Sequence, residues 1–136
     1  MIKVDETHWP LAVFTFGGQV TAEELEAYLK ASERMLKRNE QYIGLVLTEK
    51  MSPLELPLMR RQAAWIKEHH AQLREQSLGV ALVIPSAMLR GVLKAILWLQ
   101  PMPQPHSVTS TTEEALAWIR ARLRTRNLEL RSVPTL

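Results

Sequence analysis

The chain has 136 residues, 46% of them hydrophobic, a formal net charge of +3 and no cysteine. That describes one soluble α/β-sized domain able to bury its core unaided, and it excludes disulfides, thiolate metal sites and a disordered chain. The charged start, Met1–Trp9, lacks the apolar centre of a signal peptide, so the protein is expected in the cytoplasm.

Residues 2–7 (IKVDET) alternate apolar and polar, and residues 11–16 (LAVFTF) follow after His8-Trp9-Pro10. The pair predicts a β-hairpin turning at Pro10 and ended by Gly17-Gly18. Thr21 and Glu24 have capping-box spacing and open a helix whose apolar stripe is Leu25, Tyr28, Leu29, Met35 and Leu36, with Asn39 as its stop. Residues 42–47 (YIGLVL) predict a buried strand. A second capping box, Ser52 to Glu55 with Pro53 at the first helical position, predicts a single turn. Pro57 interrupts it, so the helix restarts there and runs to about Gln76, with Met59, Ala63, Ile66 and Leu73 facing inward.

The uninterrupted run Val80–Ile84, closed by Pro85, fits a strand buried on both faces. Ser86 then caps a helix to about Gln100, stopped by Pro101 and Pro103. On a helical wheel Arg90, Lys94 and Gln100 share the outward side, with Leu97 among them. The apolar residues Ala87, Met88, Leu89, Val92, Leu93, Ala95, Ile96, Trp98 and Leu99 span roughly 240°, where one core needs about 100°. That surplus is expected to meet a neighbouring helix or a second molecule. The helix is too short to span a bilayer.

The stiff stretch 101–105 (PMPQP) leads to a short edge strand, His106–Thr109, and Thr111 with Glu114 caps a last helix striped by Leu116, Ile119 and Leu123. Residues 127–136 are either a frayed tail or a further strand. Residues 41–136 hold 12 Lys and Arg against 7 Asp and Glu, much of the excess being Arg120, Arg122, Arg124, Arg126 and Arg131. Cations suit a helix C-terminus and a solvated face, so a nucleic-acid partner is not expected. The order ββαβαβαβα predicts an α/β fold, a mainly parallel or mixed sheet of about five strands with four helices, in one domain over residues 1–136.

That order resembles the STAS domain, shared by anti-sigma-factor antagonists and sulfate-transporter tails. The closer resemblance is to small bacterial STAS-like proteins, carried by Gly79-Val80-Ala81, Val83-Ile84-Pro85-Ser86, Arg90-Gly91-Val92-Leu93, Ala95-Ile96-Leu97-Trp98, and Pro101, Pro103, Pro105 and His106. The resemblance implies a fold and a habit of binding proteins or apolar ligands. Anti-sigma antagonists place a phosphorylatable hydroxyl before glycine at the start of the second helix. Here an approximate alignment puts Glu55 at the acidic position and Leu56 at the hydroxyl, so the phospho-switch does not carry over.

No phosphate-cradling glycine loop, nucleophile elbow or HExxH occurs. His69 and His70 are adjacent and diverge by about 100° on a helix, so with His106 or His8 they would make a site only by tertiary accident. Glu23, Glu24, Glu26, Glu113 and Glu114 sit where first-turn carboxylates belong. No catalytic residue, metal ligand or cofactor is assigned. The partner-binding candidates are Arg90, Lys94, Leu97 and Trp98. The expected role is a non-catalytic interaction or regulatory module that self-associates, as a homodimer, through the apolar helix. Two alternatives remain: a lipid or other apolar ligand beneath Ala87–Leu99, and hydrolytic or metal chemistry at His69, His70 or His106.

Overall fold

The computed structural model describes residues 1–134. Strand β1 (Ile2–His8) runs antiparallel to β2 (Leu11–Gly17), and β3 (Tyr42–Glu49), β4 (Ser77–Val83) and β5 (His106–Thr109) continue the sheet in parallel. The strands lie in sequence order, β1-β2-β3-β4-β5, so both β1 and the four-residue β5 are edges. Helices α1 (Ala22–Lys37), α2 (Leu56–Glu68), α3 (His70–Gln76), α4 (Ala87–Leu99) and α5 (Thr112–Arg124) connect or follow them. The expected α/β class and five-stranded mixed sheet hold, with five helices rather than four among the described residues.

Both faces of the sheet are covered, which is why β2, β3 and β4 read as near-continuous apolar runs. On one face Ala12, Phe14 and Phe16 pack with Leu25, Leu29, Met35, Leu36, Trp65 and Leu73 from α1, α2 and α3. On the other, Leu11, Val13, Ile43, Leu45, Ala81 and Val83 pack with Ala115, Ile119 and Leu123 of α5. The capping box at α1 forms in both directions: Thr21 accepts from the Glu24 N–H at 3.2 Å and Glu24 accepts from the Thr21 N–H at 3.0 Å. Asn39 follows α1 at φ 54°, the left-handed stop its side chain tolerates. At the hairpin turn Trp9 stacks on Tyr42, and the Arg38 guanidinium lies 3.6 Å above the Trp9 ring while bonding Glu6.

Four expectations change. The Ser52–Glu55 capping box does not form: residues 51–55 are irregular, the Ser52 N–H bonds Gly18 O at 2.9 Å, and Glu55 caps α2 without a side-chain bond. Pro57 falls within the first turn, where a missing N–H costs nothing, so no separate turn is needed. The helix to Gln76 breaks at His69, whose φ of −104° and ψ of 17° leave the helical range. Its ring stacks 4.2 Å from Trp65 and its Nδ1 lies 2.9 Å from Trp65 O, a carbonyl that already accepts the His69 N–H. That helical rotation buries Trp65 and Leu73 and leaves Met59 and Ala63 exposed, against their expected inward placement.

Strand β4 begins three residues before Val80, because Gly79, at φ 148°, lets the backbone pass beneath Trp118. Residues 127–134, after α5, form no further strand. Leu128 and Leu130 pack on the second core, and Ser132 Oγ lies 2.7 Å from His8 Nδ1; Thr135 and Leu136 fall outside the described residues.

Gly79 tolerates no side chain. A Cβ there would lie 2.6 Å from the Trp118 ring and 2.9 Å from Pro105 O. Gly79→Ala should therefore destabilise by about 2–3 kcal/mol, read as a lower urea midpoint with an unchanged slope. An unchanged midpoint would mean that Trp118 and the Pro105 backbone are free to move.

Acid should weaken the fold. The Thr7 hydroxyl and N–H hold Asp5 below the usual aspartate range, the Thr21 N–H does the same for Glu24, and Arg61 for Glu26. A depressed carboxylate stabilises fully above its unfolded pKa and loses that contribution as pH falls through the folded one. The thermal midpoint should fall on acidification below about pH 4, and Thr7→Val should reduce the slope. A midpoint that rises over that range would contradict these assignments.

Candidate functional site

Helix α4 forms as its punctuation dictates. Ser86 Oγ accepts from the Leu89 N–H at 3.3 Å, and the last intrahelical bond, Gln100 N–H to Ile96 O, spans 2.8 Å before Pro101. Its packing is unlike that of any other helix. None of its residues is buried, and only Leu89, Arg90, Leu93 and Leu97 are half-covered, with β5 as its main neighbour. These four share an arc of about 100° on the wheel, so α4 touches the domain along one narrow strip.

Arg90 belongs to that strip. The sequence places it outward with Lys94, but its Nη1 donates to Ile84 O at 2.7 Å and to Pro85 O at 2.8 Å. The reason lies in the end of β4. The Ile84 N–H is used by Thr109 O, while its carbonyl points past the sheet, and a guanidinium satisfies that carbonyl and its neighbour together. Lys94 is exposed, Leu97 half-buried and Trp98 85% exposed, so the four candidate residues divide between the two sides of the helix.

Beyond the strip the helix is apolar and bare. Met88 is 75% exposed, Val92 53%, Trp98 85% and Leu99 79%. Lys94 is the one charged side chain on that side, and α4 has no acidic residue. The site thus adds Met88, Val92 and Leu99 to Lys94 and Trp98, which the helical wheel had already singled out. Their signal was the over-wide apolar arc, but which part of it would be left open required the packing of the neighbours.

Other polar groupings have structural employment. His69 caps the break between α2 and α3, and His70 and His106 are exposed; among the described residues no three His, Asp or Glu side chains come together as a metal site. Near the hairpin turn His8 Nε2 lies 3.6 Å from Asp5 Oδ2 while Nδ1 meets Ser132, and Asp5 Oδ1 already accepts both donors of Thr7. The Asp5–His8 separation is too long for the oriented bond of a catalytic triad, and the cluster serves to hold the C-terminal segment. A shallow hollow of about 450 Å³ opens between Gln19–Ala22 and Glu55–Leu58, and its carboxylate, Glu55, is bonded by Gln19 Nε2 at 2.9 Å.

A family model described as SpoIIAA-like matches residues 11–120 of the chain, the stretch from β2 into α5. The chain belongs to the SpoIIAA-like family. A solved structure, that of an uncharacterized protein of the DUF3478 family with a SpoIIAA-like fold from Shewanella loihica, is 16% identical to it. The match covers 87% of this chain and 91% of that one at a TM-score of 0.65, which establishes the shared fold. No curated protein matches this SpoIIAA-like chain. The STAS-like resemblance read from residues 79–106 therefore holds for the family and the fold. No helix among the described residues is long and apolar enough to cross a membrane.

If Arg90 anchors α4, its removal should loosen that helix alone. Arg90→Met should raise amide exchange across Ala87–Leu99 by about tenfold, close to the ~1.4 kcal/mol expected of a charged hydrogen-bonded group, and leave α1 and α5 unchanged. Equal acceleration in all helices would assign Arg90 to global stability instead.

Proposed function

We propose that this SpoIIAA-like chain is a non-catalytic interaction module of the cytoplasm, a single STAS-like domain that docks another polypeptide on the outward face of α4. Lys94 and Trp98 lie in the contact, and Arg90 and Leu97 hold the helix in place from its inner side. One observation carries the reading: a 13-residue helix of strongly apolar composition has no buried side chain, while Met88, Trp98 and Leu99 are each at least three-quarters exposed. An apolar patch of that size on a folded domain is a recognition surface by default. Trp98 at its margin is the residue type that most often anchors protein contacts.

The convex shape of the face favours a polypeptide over a small apolar ligand. A small ligand gains most when enclosed on several sides, which one helix does not provide. A protein partner supplies the concavity itself. The family supports the same reading, since STAS-like domains commonly act by binding proteins.

Replacing Trp98 by a photo-crosslinking phenylalanine in cells of the source organism tests this. A polypeptide adduct at position 98, absent when the same group replaces exposed Lys30 on α1, is expected. Adducts solely to small molecules, or equal labelling at both positions, would refute the proposal.

A further inference from the structure

We infer that the polypeptide covering α4 is a second copy of this chain, with the two α4 helices antiparallel about a two-fold axis that passes near Gly91 and Ala95. This rests on the reading of α4 as a protein-docking face and names the partner. Three features of the helix support it.

The first is area. At roughly 150–250 Å² for a large side chain, the exposed fractions of Met88, Val92, Ile96, Trp98 and Leu99 amount to about 600 Å² per copy. Wholly covered, two such faces would bury about 1,200 Å² at most, which reaches the lower bound of specific, stable interfaces.

The second is shape. Gly91 and Ala95 lie one turn apart on the outward face, between a ridge of Met88, Val92 and Leu99 and one of Ala87, Lys94 and Trp98. A Cβ added at Gly91 would meet nothing within 4 Å, so a second backbone can approach there. With the axis between Gly91 and Ala95, Trp98 of one copy comes within one residue, about 1.5 Å, of the level of Ala87 of the other and on the same side, large against small. Met88 comes equally close to the level of Leu99 of the second copy on the opposite side. The face is self-complementary under a two-fold, as an isologous interface requires.

The third is charge. Lys94, the one cation of the face, lies at its margin, so both copies keep it in water and no charge is buried. A partner selected by charge would need an ion at the centre of the patch, where this helix has alanine and glycine.

The absence of native cysteine makes a direct test clean. Gly91→Cys chains mixed with Ala95→Cys chains under mild oxidation should give the mixed disulfide at least tenfold faster than Lys30→Cys chains link to one another. In sedimentation equilibrium the wild type should show a concentration-dependent dimer. Gly91→Leu, whose new side chain meets only solvent in the single chain, should weaken it at least tenfold with its melting curve intact. A wild type that stays monomeric, cross-linking no faster than the Lys30 control, or a Gly91→Leu variant that dimerises like the wild type would overturn the inference. Should the wild type be monomeric while position 98 cross-links a different polypeptide, the second copy is wrong and the docking face stands. Should position 98 contact no polypeptide, both fall.

Discussion

The shortness of β5 is the constraint on which the rest turns. The sheet offers two faces, and both are claimed along β2, β3 and β4: α1, α2 and α3 close one, α5 the other. What remains for α4 is the edge at β5, four residues or about 13 Å of strand, beside a helix about 20 Å long. The crossover from β4 to β5 obliges the chain to form a helix there, yet the ledge covers only one strip of it. An apolar helix without a floor is the direct result.

Polar contacts replace the missing floor. Ser86 fixes the first turn, Arg90 ties the helix to the carbonyls of Ile84 and Pro85, and Pro101 ends it. Each of these acts at the root of the helix or at its tip, and none uses the outer apolar side chains. The domain can therefore hold α4 in a defined place while Met88, Trp98 and Leu99 remain available to another surface. In α1 and α5 the opposite holds: Leu25, Leu29 and Leu36 of α1 and Ile119 and Leu123 of α5 are the anchors, and neither helix leaves a large apolar side chain exposed.

The order of elements along the chain and most of their boundaries were legible because they rest on local signals. Thr21 with Glu24, Asn39, Ser86 and Thr111 mark helix ends within a few residues of the groups they satisfy. Several of the misread features depended on distant partners. The apolar run placed the start of β4 at Val80, but the strand takes in Gly79, across which Trp118, 39 positions on, packs. The Ser52 hydroxyl had the right spacing for a cap, yet the loop is held by Gly18. Arg90 matched Lys94 by periodicity, and only the unpaired carbonyls at the end of β4 draw it inward. The width of the apolar arc on α4 was readable from the wheel; which part stays bare was not, because that depends on where β5 ends.

The central claim is that the outer face of α4 is uncovered by its own domain and becomes covered by a polypeptide. Carbene labelling of the intact protein at a series of concentrations measures this at Met88, Trp98 and Leu99. Strong labelling in dilute solution, fading as concentration rises while exposed residues of α1 stay labelled throughout, is what this account predicts. Weak labelling of all three even in dilute, monomeric protein would show that the domain covers α4 itself and would contradict it.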